Sequence, residues 1–597
     1  MSWKICFTAT FLILILGIGQ SISLGRSGVR RNRILNSFNV LFGTVFTASV
    51  VMFFPIYSEI FAEEPFWSLK VFLLSVHNTI RLFIVDGEFT IITDYIEIGE
   101  GWIFTAYTVQ AAVIFVLAPM LTFGVVLSFF KNLSAYRRYL FCYFRDIYIF
   151  SELNEKSLAL AESICKKDKR RRIVFTDVFE DNDEESYELV ERAKELDAIC
   201  FKKDIQVVDF RFHSRKKELC FFTIGEDESE NIDQSLKLIP AFRDREHTHL
   251  YVFSTRADSE LLLTSVDKGK IKVRRVNDVR ALVNRLLYDS GSRIFESAAE
   301  AKDGARRIGA VIVGMGQHGT NMVKALSWFC QMDGYRIDID VFDREELAEE
   351  RFRAQCPELM SEEYNGVDIP GEAQYRITVH AGVDVETKRF ADEIRKLDGA
   401  TWVFVALGTD EANIREAAEL RMLFERNGIR PSIQAVVYNS DERRALQGIT
   451  NYQGQPYGID FIGDLDTCYS EEVIMDSELE AEALERHLKW GEEEEFWKYE
   501  YNYRSSVASA IHMKAREWCR IPGSGKKEED LTEEERQVIE MLEHRRWNAY
   551  MRSEGYIYSG SPKKSSRNDL GKMHNDLVCY AGLDEEEKRK DSRVGTR

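Results

Sequence analysis

The sequence has little of what cysteine-based sites and nucleic-acid-binding surfaces require. Its ten cysteines are scattered over 597 residues with no C-x-x-C pair, so neither a zinc site nor a disulfide framework is predicted. Lysine and arginine total 79 against 98 aspartates and glutamates, and the net charge of −19 argues against a general nucleic-acid binder. We find no nucleophile–base pairing and no metal-ligand spacing, so the sequence predicts no catalytic residue, no metal site and no enzyme.

Apolar residues are concentrated at one end of the chain. The first 130 residues are membrane-like and the remainder is charged and globular, and a chain of this length predicts about three to five domains. Three runs are long enough to cross a bilayer: Ile5–Leu24, Ile34–Tyr57 and Trp102–Phe130. A signal peptide is the alternative for the first run. That run is long for a signal peptide and no clean A-x-A site follows it, which favours a membrane anchor.

Basic residues mark one side of the predicted spans. They follow the first span and the last one: Arg26, Arg30, Arg31, Arg33, Lys131, Arg137 and Arg138. Positive loops face the cytoplasm, so both clusters predict one topology, with the N-terminus outside and the large remainder in the cytoplasm. We therefore predict a multi-pass protein of a bacterial or archaeal inner membrane.

A shorter apolar segment, Phe66–Val85, lies between the second and third spans. It carries Lys70, His77 and Arg81 on one stripe of a helix. A charged stripe is typical of a re-entrant or interfacial helix rather than a lipid-exposed span. The segment therefore predicts a half-helix between two full spans.

An acidic glycine turn, Asp86-Gly87-Glu88, follows this half-helix. Span, half-helix, turn and span is the arrangement of a cation-channel pore, in which a ring of Asp86 or Glu88 from several subunits would concentrate cations. The alternative is an extracytoplasmic amphipathic hairpin without conduction. The turn is not a T-V-G-Y-G-like filter, so potassium selectivity is not predicted.

A nucleotide-binding motif occupies the centre of the soluble part. Ile308–Val313 is an apolar, β-branched run, and Gly314, Gly316 and Gly319 follow it at G-x-G-x-x-G spacing. A helical pattern over Thr320–Phe329 and a second strand over Ile337–Phe342, ending at Asp343, complete a βαβ unit. Such glycines let a pyrophosphate approach the helix N-terminus, and the acid can accept hydrogen bonds from ribose hydroxyls. The alternative is that the glycines are kept for packing alone.

Strands and helices alternate on both sides of this motif, which predicts two tandem doubly wound Rossmann-like domains. In the first domain, the first turn is Ser151–Ser157. It has no G-x-G-x-x-G motif, so we interpret this domain as mainly structural. In the second, Thr409 and Asp410 follow the fourth predicted strand at the edge where nucleotides bind. These two residues are candidates for helix capping or ligand contact. Predicted strands of the two domains are 147–150, 172–175, 197–201, 218–224, 249–254, 271–277, 308–313, 337–342, 376–380, 401–407, 432–438 and 460–463.

Two such domains behind a pore-like segment resemble the RCK (TrkA-N) domains that gate potassium channels and transporters. The resemblance covers about 320 residues, from near Asp146 to Tyr469, and is strongest at Gly314-x-Gly316-x-x-Gly319. It implies a ligand-gated channel assembled as a homo-tetramer, with the cytoplasmic domains forming a ring.

The C-terminal region contains a second resemblance. Glu471–Glu500 is acidic and is predicted to be a solvated helical spacer, Tyr499–Trp518 is amphipathic, and Thr532–Glu535 predicts a capping box. The residues beyond resemble the ryanodine-receptor repeat (RyR) domain, which implies a nucleotide-derived ligand. The residues that match are Glu543-His-Arg-Arg-Trp547, Glu554-Gly-Tyr556, His574-Asn-Asp-Leu577 and Tyr580. Candidate ligand contacts are His544, Arg545, Trp547, Tyr556, Lys563, Lys564 and Arg567. Alternatively, Trp547, Tyr556 and Leu577 form a miniature core and the basic loop is merely solvated.

The predicted fold class is an α-helical transmembrane region plus α/β, with two Rossmann-like domains and a small, mainly helical RyR-like domain. The first function hypothesis is a cation channel gated by a nucleotide: NAD-like, ATP or ADP, or a cyclic or ADP-ribose-derived messenger. The second is a membrane-anchored nucleotide sensor or defence effector without conduction, and the third is a membrane-tethered oxidoreductase. Predicted limits are 1–33 (anchor and basic loop), 34–140 (pore-like domain), 141–290 and 305–470 (RCK-like), 471–530 (acidic linker) and 531–597 (RyR-like).

Overall fold

The computed structural model contains two compact units, residues 1–137 and 138–597, which are described separately. It describes residues 3–26, 30–63, 65, 67–84, 86–87, 89–96, 101–130, 133–168, 170–178, 184–256, 258–301, 304–360, 375–475 and 478–596.

The first unit is helical. Its helices are α1 (Trp3–Arg26), α2 (Arg30–Ile60), α3 (Trp67–Phe83), α4 (Thr90–Ile96) and α5 (Trp102–Phe130), and α6 (Leu133–Phe141) contains the boundary between the units. Three of them are long and apolar enough to cross a membrane, over Trp3–Gln20, Val40–Ile60 and Trp102–Phe123. These are the three predicted runs, so the prediction of three candidate spans is confirmed.

Helix α3 is the predicted half-helix. At 17 residues it is about 25 Å long, shorter than the hydrocarbon core of a bilayer. Its buried face contains Ser75, Asn78 and Thr79, and the Asn78 amide donates to the Tyr57 hydroxyl of α2. A few polar side chains of α3 thus lie within the mainly hydrophobic core of this unit, while Lys70 and His77 of the predicted stripe are exposed.

The second unit begins with a parallel sheet. Its strands are β1 (Ile147–Phe150), β2 (Arg172–Phe175), β3 (Ile199–Cys200), β4 (Leu219–Thr223), β5 (Thr248–Phe253) and β6 (Lys272–Val276), in the order β3-β2-β1-β4-β5-β6. The helices are α7 (Glu155–Lys167), α8 (Glu184–Glu195), α9 (Glu228–Phe242), α10 (Asp258–Thr264), α11 (Asp278–Ser290) and α12 (Ser292–Glu296). β1 and β4 are wholly buried, as continuous apolar runs of a parallel sheet should be.

The second sheet repeats this topology. Its strands are β7 (Ala299–Glu300), β8 (Arg306–Val313), β9 (Tyr335–Asp343), β10 (Tyr375–Ala381), β11 (Trp402–Val405), β12 (Ser432–Val436) and β13 (Ile459–Ile462), in the order β10-β9-β8-β11-β12-β13 with β7 antiparallel to β8. Its helices are α13 (Gln317–Phe329), α14 (Ala348–Gln355), α15 (Lys388–Ile394), α16 (Asp410–Arg426), α17 (Ser440–Leu446) and α18 (Leu465–Cys468). The parallel strands of both sheets follow the order 3-2-1-4-5-6 of the doubly wound nucleotide-binding fold. The predicted α/β class with parallel sheets is confirmed.

The two sheets pack through equivalent elements. The first helix of one, α7, contacts α18 after the last strand of the other, and α13 contacts α11 in the same way. Tyr469 donates across this junction to Asp278 at 2.5 Å. In each sheet, one edge lies beside the N-terminus of the first helix. That edge therefore lies near the other sheet.

The segment predicted as a solvated spacer is helical but is not solvated throughout. It forms α19 (Glu471–Ile474), α20 (Glu478–His487) and α21 (Glu493–Lys498). Glu471 is 3% exposed and pairs with Arg171 at 2.7 Å, and Glu480 pairs with Arg274. The prediction of a solvated spacer is wrong here, because distant arginines supply these acids with buried partners.

The remaining helices are α22 (Glu500–Trp518), α23 (Glu533–Ser553) and α24 (Glu585–Gly595), with a short parallel pair, β14 (Ile557–Tyr558) and β15 (Met573–His574). Thr532 and Glu535 form the predicted capping box at the start of α23. Helix α22 is buried along most of its length and contacts α11, α13, α20 and α23. The C-terminal helices are thus joined to both sheets.

Candidate functional site

The three glycines of the G-x-G-x-x-G motif differ in backbone conformation and in the space available for a side chain. Gly314 has φ +93°, a conformation that side chains disfavour. A Cβ on Gly319 would lie 1.8 Å from the Gly314 carbonyl oxygen, so the strand and helix approach too closely for any side chain. Gly316 is the N-cap of α13, and a Cβ there would have no atom within 4 Å. The open space is therefore above Gly316, where a pyrophosphate would approach the helix N-terminus.

Asp343 ends β9 beside this turn. One carboxylate oxygen accepts from the Met315 backbone N–H at 2.6 Å, and the other accepts from the Glu345 N–H at 2.8 Å. A carboxylate has about four acceptor positions, so these bonds leave capacity for ribose hydroxyls. The acid thus orders the glycine turn and remains chemically able to bind a sugar.

Thr409 and Asp410 lie at the next strand end but serve the protein's own backbone. The Thr409 hydroxyl accepts from the Ala412 N–H at 3.3 Å and caps α16. Both Asp410 oxygens accept from the Tyr438 N–H, and one also accepts from the Asn439 N–H at 2.8 Å. Thr409 therefore caps a helix, which is one of its two predicted roles. Asp410 binds the backbone of the loop after β12.

Polar side chains that were not predicted as site residues lie at the first turn of α13. His318 Nε2 lies 2.7 Å from the Tyr438 hydroxyl, and Gln317 donates to Thr255 of the first sheet at 3.5 Å. Burial lowers the pKa of His318, and the charge of Asp278 only partly opposes that shift. The lowered pKa favours the neutral form of His318, in which one ring nitrogen donates and the other accepts.

The equivalent turn of the first sheet is closed by its own side chains. The Glu152 carboxylate accepts from the Glu226 N–H at 3.2 Å, and a Cβ on Gly225 would lie 2.7 Å from it. Asn154 caps α7 and donates to the Ile224 carbonyl at 2.8 Å. An acidic side chain thus fills the position where a phosphate would bind, which fits the mainly structural interpretation of this turn.

The aromatic residues of the RyR-like prediction pack into the protein. His544 is buried, with Nε2 2.8 Å from the Val578 carbonyl oxygen and Nδ1 3.2 Å from Asp591. Trp547 packs edge-on against His574 with ring centroids 4.9 Å apart, and Tyr556 also borders the core. Burial raises the pKa of Tyr556 to about 12. His544 thus has structural partners on both ring nitrogens.

The basic residues of the same prediction do not converge on one point. Arg545 donates to the Met541 sulfur at 3.7 Å, and Lys563 is exposed. Lys564 pairs with Glu587 at 3.0 Å and Arg567 pairs with Asp569 at 3.0 Å. The loop cations are thus partly neutralised by nearby acids.

Two of the predicted pore residues, Asp86 and Gly87, follow α3. Asp86 is exposed and pairs with Arg81 at 3.0 Å. Gly87 packs tightly, since a Cβ there would lie 3.0 Å from Leu82 and 3.2 Å from Phe115. Glu88 lies outside the described residues. In a single chain, therefore, the Asp86 carboxylate already has one cationic partner.

No family model matches the chain, and comparison with curated proteins gives no match. The resemblances to RCK and RyR domains therefore rest on the quoted residues, the order of the elements and the strand topology.

Proposed function

We propose that the protein is a ligand-gated cation channel of a bacterial or archaeal inner membrane, controlled by a nucleotide or nucleotide-derived messenger. The observation that carries this proposal is the open Gly316 position beside Asp343, at the carboxyl edge of a sheet with the 3-2-1-4-5-6 order. Nucleotides bind at this edge in doubly wound folds. The three candidate spans, with a half-helix between the second and third, would form the membrane part of the channel. By its resemblance to RCK proteins, the channel is a homo-tetramer with its α/β domains in the cytoplasm.

Ligand can control the channel only if it binds the open and closed assemblies with different affinity. The glycine turn suits such a role because α13 contacts α11 of the first sheet, α22 and α23. A phosphate at the N-terminus of α13 would change the electrostatics of a helix that touches three other parts of the unit. Coupling between ligand and gate is then reciprocal, so opening also changes ligand affinity.

The experiment is cation flux from liposomes that contain the full-length protein, with and without a nucleotide panel that includes NAD, ATP, ADP, cyclic nucleotides and ADP-ribose derivatives. We expect flux that depends on one ligand and saturates with its concentration. Protein-free liposomes with the same ligands are the control. Nucleotide binding without flux in the same preparation would contradict conduction.

Reversing the charge of Asp86 tests the pore turn. We expect Asp86→Lys to reduce ligand-dependent cation flux by about tenfold or more, because it replaces a cation-attracting carboxylate with an ammonium. The measurement is the flux assay in liposomes. Asp94→Lys, the same change at an exposed position of α4, is the matched control and should conduct like the unaltered protein. Equal flux from both variants would remove Asp86 from the permeation path.

A membrane-anchored sensor without conduction is the second candidate. The Arg81–Asp86 pair favours it, since a carboxylate that is neutralised within its own chain attracts cations less strongly. In that case the spans anchor the nucleotide-binding unit and the output passes to a partner protein. Binding without flux is the result this candidate expects.

A further inference from the structure

A second cavity lies away from the glycine turn, where the two sheets meet the C-terminal helices. It consists of two adjoining pockets with cavity volumes of about 70 Å³ and about 60 Å³, which share Arg280, Asn284, Tyr503, Arg504 and Val507. Its walls come from β6 and α11 of the first sheet, from α13 of the second, and from α22 and α23. Each pocket has room for several water molecules, and therefore for a small anion such as phosphate.

Cations dominate the wall of this cavity. The charged lining residues are Arg274, Arg275, Arg280, Arg285, Arg504 and Lys324 against Glu500 and Glu554. Glu480 and Asp289 pair with Arg274 and Arg285, while Glu260 pairs with Arg504. Lys324 contacts the Gln355 amide oxygen at 3.4 Å, and its charge also acts on Glu554. The wall therefore retains positive charge in a protein of net charge −19.

The two glutamates hold the arginines in place. Glu500 accepts two hydrogen bonds from Arg275, at 2.5 and 2.8 Å. Glu554 lies 3.4 Å from Arg280 and 3.2 Å from Arg504. Burial acts to raise the pKa of Glu554, but the charges of Arg280, Arg504, Lys324 and Lys572 lower it to about 2. Arg504 also pairs with Glu260 and Glu500, which leaves a small excess of positive charge around Glu554 that a second anion would balance.

Two buried polar atoms at the cavity also lack partners. The Tyr550 side chain is 3% exposed, and its hydroxyl has no hydrogen-bond partner among the described residues. The Arg504 Nε is likewise buried without a partner in that set. Buried polar groups are normally hydrogen-bonded, so unpaired donors at a cationic cavity point to an acceptor that binds there. Tyr503, whose ring stacks under Arg274, and Trp328 add flat apolar surface.

We propose that this cavity is a second ligand site, which takes a small phosphate-bearing anion. Lys324, Arg280 and Arg504 would bind the phosphate, and Asn284 and Tyr550 would supply further hydrogen bonds. The site is independent of the glycine turn, and it joins both sheets to the C-terminal helices through one ligand.

The test is calorimetric titration of full-length protein in detergent with inorganic phosphate and with inorganic pyrophosphate. The titrations use a Gly316→Asp background, in which the glycine turn does not contribute. We expect phosphate and pyrophosphate to bind in this background, and Lys324→Gln to weaken both by about tenfold or more, the value of one lost charge-assisted hydrogen bond. Lys388→Gln, at an exposed lysine of α15, is the matched control and should bind normally.

A stability measurement guards against simple misfolding. We expect Lys324→Gln to melt without ligand at the same temperature as Lys388→Gln, so that any loss of pyrophosphate binding reflects the missing charge. Absence of binding in the Gly316→Asp background would overturn the proposal, as would equal affinities for Lys324→Gln and Lys388→Gln. Neither result bears on the glycine turn, which is judged from the response to Gly316→Asp itself.

Discussion

Replacing Glu543 with glutamine is expected to lower the free energy of unfolding of the 138–597 unit by about 3–5 kcal/mol. Glu543 is 1% exposed and accepts from Arg546 at 2.8 Å, and it lies 3.9 Å from Arg516. Arg486 is 2% exposed, and its positive charge lowers the pKa of Arg516. Burial lowers the pKa of Arg516 to about 10, and the charge of Glu543 partly offsets this cost. Without that charge, the buried arginines would repel one another with no carboxylate between them.

The measurement is denaturant unfolding followed by circular dichroism on the purified protein. Glu533→Gln is the matched control, because Glu533 lies on the same helix with its side chain 77% exposed. Surface substitutions of this kind change stability by about 0.5 kcal/mol or less. If Glu543→Gln unfolded at the same denaturant concentration as Glu533→Gln, the buried cluster would not stabilise the unit.

The sequence predicts the sheets because each strand is a local signal. Ile308–Val313 contains no charged or polar side chain and is rich in β-branched residues, a composition typical of a parallel strand covered on both faces. The observed strand is Arg306–Val313. Regular alternation of such runs with helical patterns then predicts the doubly wound topology. The glycine turn was also predictable, since G-x-G-x-x-G spacing between strand and helix is itself the local constraint.

The charged interior could not be predicted in the same way. Arg275 and Glu500 are 225 positions apart, and Arg274 and Glu480 are 206 apart, so no local period relates them. Each looks like a solvated residue in its own segment, and the acidic composition of 471–500 favoured a solvated spacer for that reason. The available signal was the pair Arg274-Arg275 within a parallel strand, because cations in such a strand need buried partners.

A pair of glycine substitutions should separate folding from nucleotide binding. Gly319→Ala is expected to destabilise the unit by about 3 kcal/mol, because the added Cβ would lie 1.8 Å from the Gly314 carbonyl oxygen and α13 must move from β8. Denaturant unfolding measures this effect. Gly399→Ala is the control, since a Cβ there would meet nothing within 4 Å. Equal stability of the two variants would contradict the close approach.

Gly316→Asp is expected to abolish nucleotide binding at the turn and leave the fold intact. A Cβ at this position meets no atom within 4 Å, the backbone has φ −67° and ψ −162°, and aspartate is a favoured N-cap residue. Its carboxylate would nevertheless occupy the position of the phosphate and repel it. A nucleotide at one hundred times its Kd stabilises a protein by about 2.7 kcal/mol, which thermal unfolding detects readily. We expect this stabilisation at the turn in the unaltered protein and its loss in Gly316→Asp at unchanged melting temperature without ligand. Since a second site would contribute its own stabilisation, the decisive quantity is the difference between the two proteins at each nucleotide concentration, and no difference would show that the glycines serve packing alone.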